Sequence, residues 1–216
     1  GNVHHAQPSS VSITQACESG TVYSLEEIQA IAAVAHSHGL SMHMDGARFA
    51  NALVTLDVTP AQMTWQAGID VLSFGGTKNG CLAAEAVVFF RPELVGDFPF
   101  LQKRAGQLLS KSRFISSQFA GYLKDGTWLR NARQANAMAQ RLSKGLAALP
   151  GIELAYPTQS NEVFVSMPAV LIERLSAQGL SVNDEELDGK AVRFVAAWNT
   201  PESQVDDLLK VLADHC

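Results

Sequence analysis

Lys78 is the single charged residue in a run of small residues, Ser73 to Gly80, that follows the strand-like segment Ile69 to Leu72. A lysine in an open loop at a strand end can react with an aldehyde once partial desolvation lowers its pKa. The preceding glycines permit close approach of a bulky ligand, and the Thr77 hydroxyl is a candidate phosphate ligand. Taken alone, the pattern is equally consistent with a solvated loop lysine.

A second charged segment, Met42 to Arg48, ends another short strand about thirty residues before Lys78. The carboxyl ends of parallel strands border the ligand crevice of open α/β sheets, so the two segments are predicted to share a site. Asp45 is suited to pair with a protonated ring nitrogen, and Arg48 lies close behind it. The alternatives are a helix N-cap for Asp45 and a local Asp45–Arg48 ion pair. The three charged groups suit pyridoxal phosphate chemistry.

Arg193 interrupts an otherwise apolar strand-like run, residues 191–197. Its planar guanidinium would hold a substrate α-carboxylate in a bidentate grip, while the alternative is a strand with one outward face. The six histidines lack metal-ligand spacing, so no catalytic metal is predicted.

The composition predicts a soluble protein and leaves small-molecule chemistry open. The 216 residues are 47% apolar and 17% charged, and the net charge of −5 argues against nucleic acid or an anionic membrane as the main partner. No apolar run approaches the roughly 18 residues that span a bilayer. The three cysteines lack close pairing, so reduced thiols and a cytoplasmic location are predicted.

Helix and strand signals alternate through the first half of the chain. Ser24 and Glu27 form a capping box before a helix that runs to Gly39, and Thr59-Pro60 begins a short helix. Residues 83–90 follow Lys78 too soon for a helical crossover and are predicted to be an antiparallel neighbour of the lysine strand. An α/β fold with a mixed, mainly parallel sheet is therefore predicted.

The second half reads as helix and then a smaller α+β region. Residues 98–120 suggest a broken helix, and apolar residues at helical spacing predict a long helix from 127 to 149. Later strands and helices are predicted at 152–155, 163–167, 168–178, 192–197 and 201–213. The predicted domains are residues 1–126, a connecting helix at 127–150, and a small α+β domain at 151–216.

These residues carry a family resemblance that runs along the whole chain. His43 to Arg48 resembles the H-x-D-G-A-R motif of the low-specificity L-threonine aldolases, within the threonine aldolase and aromatic β-eliminating lyase family of fold-type I pyridoxal phosphate enzymes. Ser73 to Gly80 resembles the cofactor-lysine segment of that family, and Val192 to Val195 its carboxylate-binding strand.

The resemblance implies roles for individual residues. Lys78 would form a Schiff base with pyridoxal 5′-phosphate, Asp45 would hold the pyridine nitrogen and Arg48 the ring oxygen. Arg193 would bind the amino-acid carboxylate. His4 would act near the substrate hydroxyl, and Arg113 would lie near the cofactor phosphate.

The implied reaction is retro-aldol cleavage of L-threonine, L-allo-threonine and related β-hydroxy-α-amino acids to glycine and an aldehyde, in a homodimer or homotetramer. The alternatives are a β-eliminating lyase or aminotransferase with the same cofactor, and a non-catalytic fragment. The last arises because family members carry roughly a further hundred residues before this start, a domain-sized piece that includes the phosphate-binding loop.

Overall fold

Two units make up the chain, Gly1–Gln15 with Tyr23–Trp128 and Ala16–Val22 with Leu129–Cys216. The computed structural model describes residues 2–177, 179 and 191–215. None of the helices in those ranges is both long and apolar enough to cross a bilayer.

The first unit is built on a four-stranded sheet. Its strands are β1 (Ser10–Thr14), β2 (Ser41–Gly46), β3 (Val71–Gly75) and β4 (Glu85–Phe89), in that spatial order. β1 pairs with β2, and β2 with β3, in parallel, whereas β3 and β4 are antiparallel. The prediction of a mixed, mainly parallel sheet with an antiparallel strand after the lysine loop is confirmed.

The helices of the first unit are α1 (Leu25–Ser37), α2 (Phe49–Leu56), α3 (Pro60–Met63), α4 (Phe98–Arg104) and α5 (Arg113–Leu123). The predicted capping box of α1 is confirmed, since the Glu27 N–H donates to Ser24 Oγ (3.2 Å) and the Ser24 N–H to Glu27 Oε2 (2.8 Å).

The helix α2 was not predicted from the sequence. Its first five residues, 49–53, are all buried. It therefore lacks the alternation of apolar and polar faces by which a surface helix is recognised.

Alternating burial along β2 sets the two faces of the sheet apart. Met42 and Met44 are fully buried, whereas His43 and Asp45 are half-buried. Successive side chains of a strand point to opposite faces, so His43 and Asp45 share the face that is not in the core.

The second unit has a small antiparallel sheet of β5 (Glu153–Leu154), β6 (Glu162–Ser166) and β7 (Val192–Val195), in that order. Its helices are α6 (Thr127–Leu146), α7 (Ala169–Ala177) and α8 (Glu202–Ala213). Helix α6 begins in the first unit with Thr127 and Trp128. Apolar residues of all three helices and of β6 and β7 form one core, so the predicted α+β character of this region is confirmed. The predicted domain bounds stay a prediction.

Candidate active site

Asp45 lies at the carboxyl end of β2, in register with Thr14 of β1 and Ser73 of β3. The Ala47 N–H donates to Asp45 Oδ1 (2.9 Å), and no described residue donates a hydrogen bond to Oδ2. The N-cap position of α2 is held by Arg48, without a side-chain cap. Asp45 therefore fixes the turn before α2 and is not its N-cap, and one carboxylate oxygen stays available to a ligand.

Lys78 follows β3 in a single 3₁₀ turn, Thr77–Asn79. Its side chain is exposed and makes no hydrogen bond or ion pair with any described residue. The Thr77 hydroxyl accepts the Ala84 N–H (3.1 Å) and keeps its own proton to donate. The turn thus presents an amine and a hydroxyl at the end of the strand next to that of Asp45.

Glycines let the turns after β2 and β3 approach each other closely. A Cβ on Gly75 would lie 2.7 Å from the carbonyl oxygen of Ala47 and 2.8 Å from its Cα. A Cβ on Gly46 would lie 2.8 Å from the Ser73 carbonyl oxygen. Real Cβ atoms are not found that close to backbone, so only glycine fits here. The Asp45 turn and the start of the Lys78 loop are therefore in backbone contact.

A row of polar side chains runs beneath Asp45 across three strands. His43 Nδ1 is hydrogen-bonded to Ser12 Oγ (2.7 Å) and His43 Nε2 to Ser73 Oγ (2.9 Å). The row thus ties β1 and β3 to β2 on the face that carries Asp45. Sequence reasoning included His43 in a motif but gave it no role, because its contacts are with residues about thirty positions away.

Asn79, the residue after Lys78, is buried beneath the loop. Its Nδ2 donates to the Tyr122 hydroxyl oxygen (2.7 Å) and to the Trp128 carbonyl oxygen (2.8 Å). Burial raises the pKa of Tyr122 to about 12, so the phenol stays neutral at ordinary pH. Sequence reasoning missed Asn79, and the available signal was an amide side chain in an otherwise glycine-rich loop.

The aromatic rings near the Asn79 side chain pack against one another in a cluster around Phe74. Phe74 of β3 lies 5.7 Å from Phe49, 5.7 Å from Phe119 and 5.9 Å from Trp128, measured between ring centroids. Aromatic rings at such spacings attract each other beyond their area of burial. The strand that leads to Lys78 is thus packed firmly on the core side.

Three further residues of the first unit were predicted to take part in the site, Arg48, Arg113 and His4. Arg48 is half-buried at the start of α2, and Arg113 is the exposed first residue of α5. His4 is exposed before β1, where its backbone N–H donates to Asn2 Oδ1 (2.9 Å). Neither His4 nor Arg113 shares a hydrogen bond or ion pair with Asp45 or Lys78 among the described residues, so their roles stay predictions.

Arg193 lies in β7 of the second unit, opposite Phe164 of β6. Its Nη1 is 3.4 Å from Oε1 of Glu162, a residue that is only 1% exposed. The strand arginine therefore has an anionic partner in its own sheet. The role predicted for it, binding a substrate carboxylate, stays a prediction.

No cluster of His, Cys, Asp and Glu in the described ranges is arranged to hold a metal ion. Cys17 and Cys81 are free thiols, and Cys216 lies outside the described residues. Burial, together with the charge of Glu85, raises the pKa of Cys81. The raised pKa favours the neutral thiol of Cys81 over the reactive thiolate.

Known proteins of one kind match the chain along nearly its whole length. The low-specificity L-threonine aldolase of a Pseudomonas species is 47% identical over 207 residues, which are 96% of this chain and 60% of the relative. The enzyme of the same name from Pseudomonas aeruginosa is 43% identical, with 97% and 60% covered. The chain therefore spans about 60% of the length of these relatives.

The fold matches as well. A solved structure of Leishmania major threonine aldolase superposes with a TM-score of 0.89 at 29% identity, covering all of this chain and 63% of that one. The predicted fold class, an α/β unit with a mixed sheet followed by a smaller antiparallel sheet, is confirmed by this match.

A family model described as beta-eliminating lyase matches residues 1–169, which include both the Asp45 turn and the Lys78 loop. Enzymes of this family depend on pyridoxal phosphate. The match covers more than half of the residues, and the chain therefore belongs to the β-eliminating lyase family.

Proposed function

We propose that the protein is a pyridoxal phosphate-dependent aldolase that cleaves L-threonine and L-allo-threonine to glycine and acetaldehyde. The likeness to two low-specificity L-threonine aldolases at 47% and 43% identity supports this choice of reaction. Because the chain spans only part of those relatives, activity of the chain by itself is part of the proposal.

The residues of the first unit fit the cofactor. Lys78 presents an amine that no described residue engages, and Asp45 keeps one carboxylate oxygen without a described donor. The aldehyde of the cofactor requires an amine such as that of Lys78, and its ring nitrogen requires a carboxylate oxygen such as that of Asp45. When bound, pyridoxal phosphate withdraws electrons from the bond that breaks at the substrate Cα.

Each proposed residue has a simple task. Lys78 would hold the aldehyde covalently, and Asp45 would keep the ring nitrogen protonated by charge pairing. Arg48 would contact the ring oxygen, and the Thr77 hydroxyl and Arg113 would donate to the phosphate. These tasks follow from the chemistry of each side chain, and for Arg48 and Arg113 from the family resemblance.

The substrate would be held by two further residues. Arg193 would grip the α-carboxylate and so fix which bond at Cα is aligned for cleavage. His4 would lie near the β-hydroxyl, whose proton must leave when the Cα–Cβ bond breaks and the aldehyde is released.

One observation carries the proposal: the glycine-mediated contact between the turns after β2 and β3. With a Gly75 Cβ position 2.7 Å from the Ala47 oxygen, the Asp45 turn and the Lys78 loop cannot separate without changing the sheet. The cofactor ring would bond through its nitrogen to the Asp45 carboxylate and through its aldehyde to the Lys78 amine. It therefore needs two neighbouring strand ends that carry these groups.

Covalent labelling tests the cofactor assignment. The chain is mixed with pyridoxal phosphate, reduced with borohydride and digested, and the expected result is a pyridoxyl group on the Lys78 peptide. Lys78→Ala should abolish the label, and the exposed Lys144→Ala in the second unit should keep it. A label that persists on Lys78→Ala protein would contradict the assignment.

Product analysis tests the reaction. L-Threonine and L-allo-threonine should each yield glycine and acetaldehyde in equal amounts. Pyruvate and ammonia from L-serine would identify a β-eliminating lyase instead. Transfer of the amino group from an amino acid to an added keto acid would identify an aminotransferase. A wild-type chain that takes up no cofactor at saturating concentration would identify a non-catalytic fragment.

We also propose that the protein assembles as a homodimer or homotetramer through the segment 98–123. This segment exposes large apolar side chains, including Phe100 (70% exposed) and Phe114 (68%), as does nearby Leu82. Several such residues amount to hundreds of Å² of apolar surface, roughly one side of a standard interface of about 800 Å² per partner.

Light scattering after size exclusion tests the assembly. The wild-type chain should elute as a dimer or tetramer, and the double change Phe100→Ser and Phe114→Ser should shift it towards the monomer. Trp65→Ser, which changes an exposed ring outside this segment, should leave the mass unchanged. A monomeric wild-type chain would contradict the proposed assembly.

A further inference from the structure

The loop that carries Lys78 is a single 3₁₀ turn between two glycines. The N–H groups of Asn79 and Cys81 both donate to the Gly76 carbonyl (3.1 Å each), and the Gly76 N–H donates to the Ala84 carbonyl (2.9 Å). Isolated 3₁₀ turns have poor hydrogen-bond geometry, and glycines add conformational freedom that folding must restrict. These bonds meet at the first glycine, so the lysine, two residues further on, needs an additional support.

Asn79 provides that support from below. Lys78 is exposed, whereas the Asn79 side chain is 3% exposed and its Nδ2 donates two hydrogen bonds. Consecutive residues of the turn therefore point in opposite directions, one to solvent and one to the interior. Each bond reaches a distant part of the chain, the Tyr122 ring and the Trp128 backbone.

The two acceptors fix the direction of the amide. The Trp128 carbonyl oxygen can only accept a hydrogen bond, so the Asn79 atom that faces it must be Nδ2. The second N–H of the same nitrogen then reaches the Tyr122 hydroxyl. Both acceptors lie in a cluster of packed rings and have little freedom to move.

We propose that Asn79 is a positioning residue for Lys78, which anchors the lysine turn to Tyr122 and Trp128 so that the amine stays in place to receive the cofactor. The role of Lys78 itself rests on the proposed function. Asn79 does not touch the cofactor in this proposal and acts only through the turn.

The anchor lowers the conformational entropy of the lysine turn before the cofactor binds. A lysine side chain has four rotatable bonds, and an unanchored backbone beneath it would add several more. Covalent capture requires the amine to meet one carbon atom, so backbone disorder lowers both the rate of attachment and the affinity. The anchor removes the backbone contribution before the cofactor arrives.

The chemistry of the asparagine is specific. Aspartate has the same shape but has no N–H to donate, and it would set a carboxylate against the Trp128 carbonyl oxygen. Alanine removes the contacts and leaves a cavity. Both Asn79→Asp and Asn79→Ala are therefore expected to release the turn, whereas Tyr122→Phe removes only one of the two acceptors.

Two measurements on the 216-residue chain test the proposal. The first is hydrogen exchange at residues 76–81 without cofactor, followed by mass spectrometry. The second is the rate at which pyridoxal phosphate becomes attached to Lys78, trapped by borohydride at timed intervals. The matched control is Thr64→Val, which removes a different buried hydrogen bond of the same unit, from Thr64 Oγ1 to the Pro60 carbonyl.

Exchange at residues 76–81 should rise in both Asn79 variants, by about tenfold or more, because both hydrogen bonds that Asn79 Nδ2 donates are lost. Attachment to Lys78 should slow by a similar factor. Tyr122→Phe should fall between the wild type and Asn79→Ala, and adding it to Asn79→Ala should have little further effect. Thr64→Val should change neither readout, although it lowers the unfolding midpoint.

Unchanged exchange at residues 76–81 in both Asn79 variants would overturn the anchor. Raised exchange with an unchanged attachment rate would overturn the positioning role. If the wild-type chain attaches no cofactor, the proposed function fails and the positioning role fails with it, while exchange still decides whether Asn79 holds the turn. Because exchange is measured without cofactor, the two failures are distinguishable.

Discussion

The imidazole Nε2 of His43 lies 2.9 Å from the hydroxyl oxygen of Ser73, and this bond joins the strand of Asp45 to the strand of Lys78. The other ring nitrogen is bonded to Ser12, so one side chain ties three strands together. The two serines face the ring from opposite sides, and a hydroxyl can donate or accept. The bonds are thus available to either tautomer of the histidine.

His43→Phe should destabilise the first unit while keeping an aromatic ring at this position. Losing two partly exposed hydrogen bonds is expected to lower the free energy of unfolding by about 1–2 kcal/mol. Urea titration followed by fluorescence, with Trp128 as a reporter in this unit, measures the change. Ser37→Ala, which removes one exposed bond to the Val34 carbonyl, should have little effect. Equal stability of the His43→Phe and wild-type chains would show that the row contributes nothing.

Gly75→Ala should push the Asp45 turn and the Lys78 loop apart. The new Cβ would lie 2.7 Å from the Ala47 carbonyl oxygen, and backbone on both sides must move to relieve the clash. Overpacking of this kind costs about 1–3 kcal/mol of unfolding free energy. Cofactor affinity, measured by titrating visible absorbance, should also fall.

Gly121→Ala is the matched control for that change. Gly121 lies inside α5, and nothing stands within 4 Å of its Cβ position. Alanine there should raise the free energy of unfolding by about 0.5–1 kcal/mol, because it favours the helix and restricts the unfolded chain. If Gly75→Ala were as well tolerated as Gly121→Ala, the close contact would not be needed.

The antiparallel pairing of β3 with β4 and the neighbouring positions of Asp45 and Lys78 were predictable because they depend on local patterns. Apolar runs, capping residues and short connections decide which strands pair, and pairing decides which strand ends meet. The supports of the site were not predictable. His43, Asn79 and Glu162 act through partners between 30 and 49 residues away, and a single sequence carries no record of such contacts.

Asp70, directly before β3, is another residue whose partners are distant in sequence, and its charge allows a test by pH. It is buried and accepts hydrogen bonds from the Met42 N–H (2.7 Å) and from His36 Nε2 (2.9 Å). Burial by itself would raise the pKa of Asp70, but these bonds and the charge of Arg91 outweigh it and lower the pKa below its ordinary 3.8. The ionised carboxylate therefore stabilises the fold.

The lowered pKa fixes the direction of the pH effect. The stabilisation by Asp70 is fully present above pH 3.8 and is lost as the pH falls through the lower pKa of the folded state. Asp70→Asn should be less stable than wild type by about 1–3 kcal/mol at pH 7. That gap should narrow in urea titrations below pH 3.8.

Asp57→Asn is the control for Asp70→Asn. Asp57 is exposed at the end of α2 with a positive φ of 52°, a conformation that asparagine also adopts. Its substitution should change stability little at any pH. A constant gap between Asp70→Asn and wild type from pH 7 to pH 3 would contradict the role given to the Asp70 charge.

Arg193 has a structural role in the second unit, because it pairs with the buried carboxylate of Glu162. Arg193→Met should lower the free energy of unfolding by about 3–5 kcal/mol, since it leaves a buried carboxylate without the guanidinium. Glu162→Gln should cost less than Arg193→Met, because a neutral amide is cheaper to bury. Unfolding followed through Trp198 fluorescence reports on this unit.

The double variant separates the structural role from the catalytic one. Arg193→Met combined with Glu162→Gln should regain part of the stability lost in Arg193→Met, since the buried charge that had lost its guanidinium is gone. Additive losses would mean that the two side chains are not coupled. Substrate affinity should behave differently. The double variant should bind L-threonine as weakly as Arg193→Met does, because restored packing supplies no group for the carboxylate. Recovery of substrate affinity together with stability would contradict the proposal that Arg193 binds the substrate.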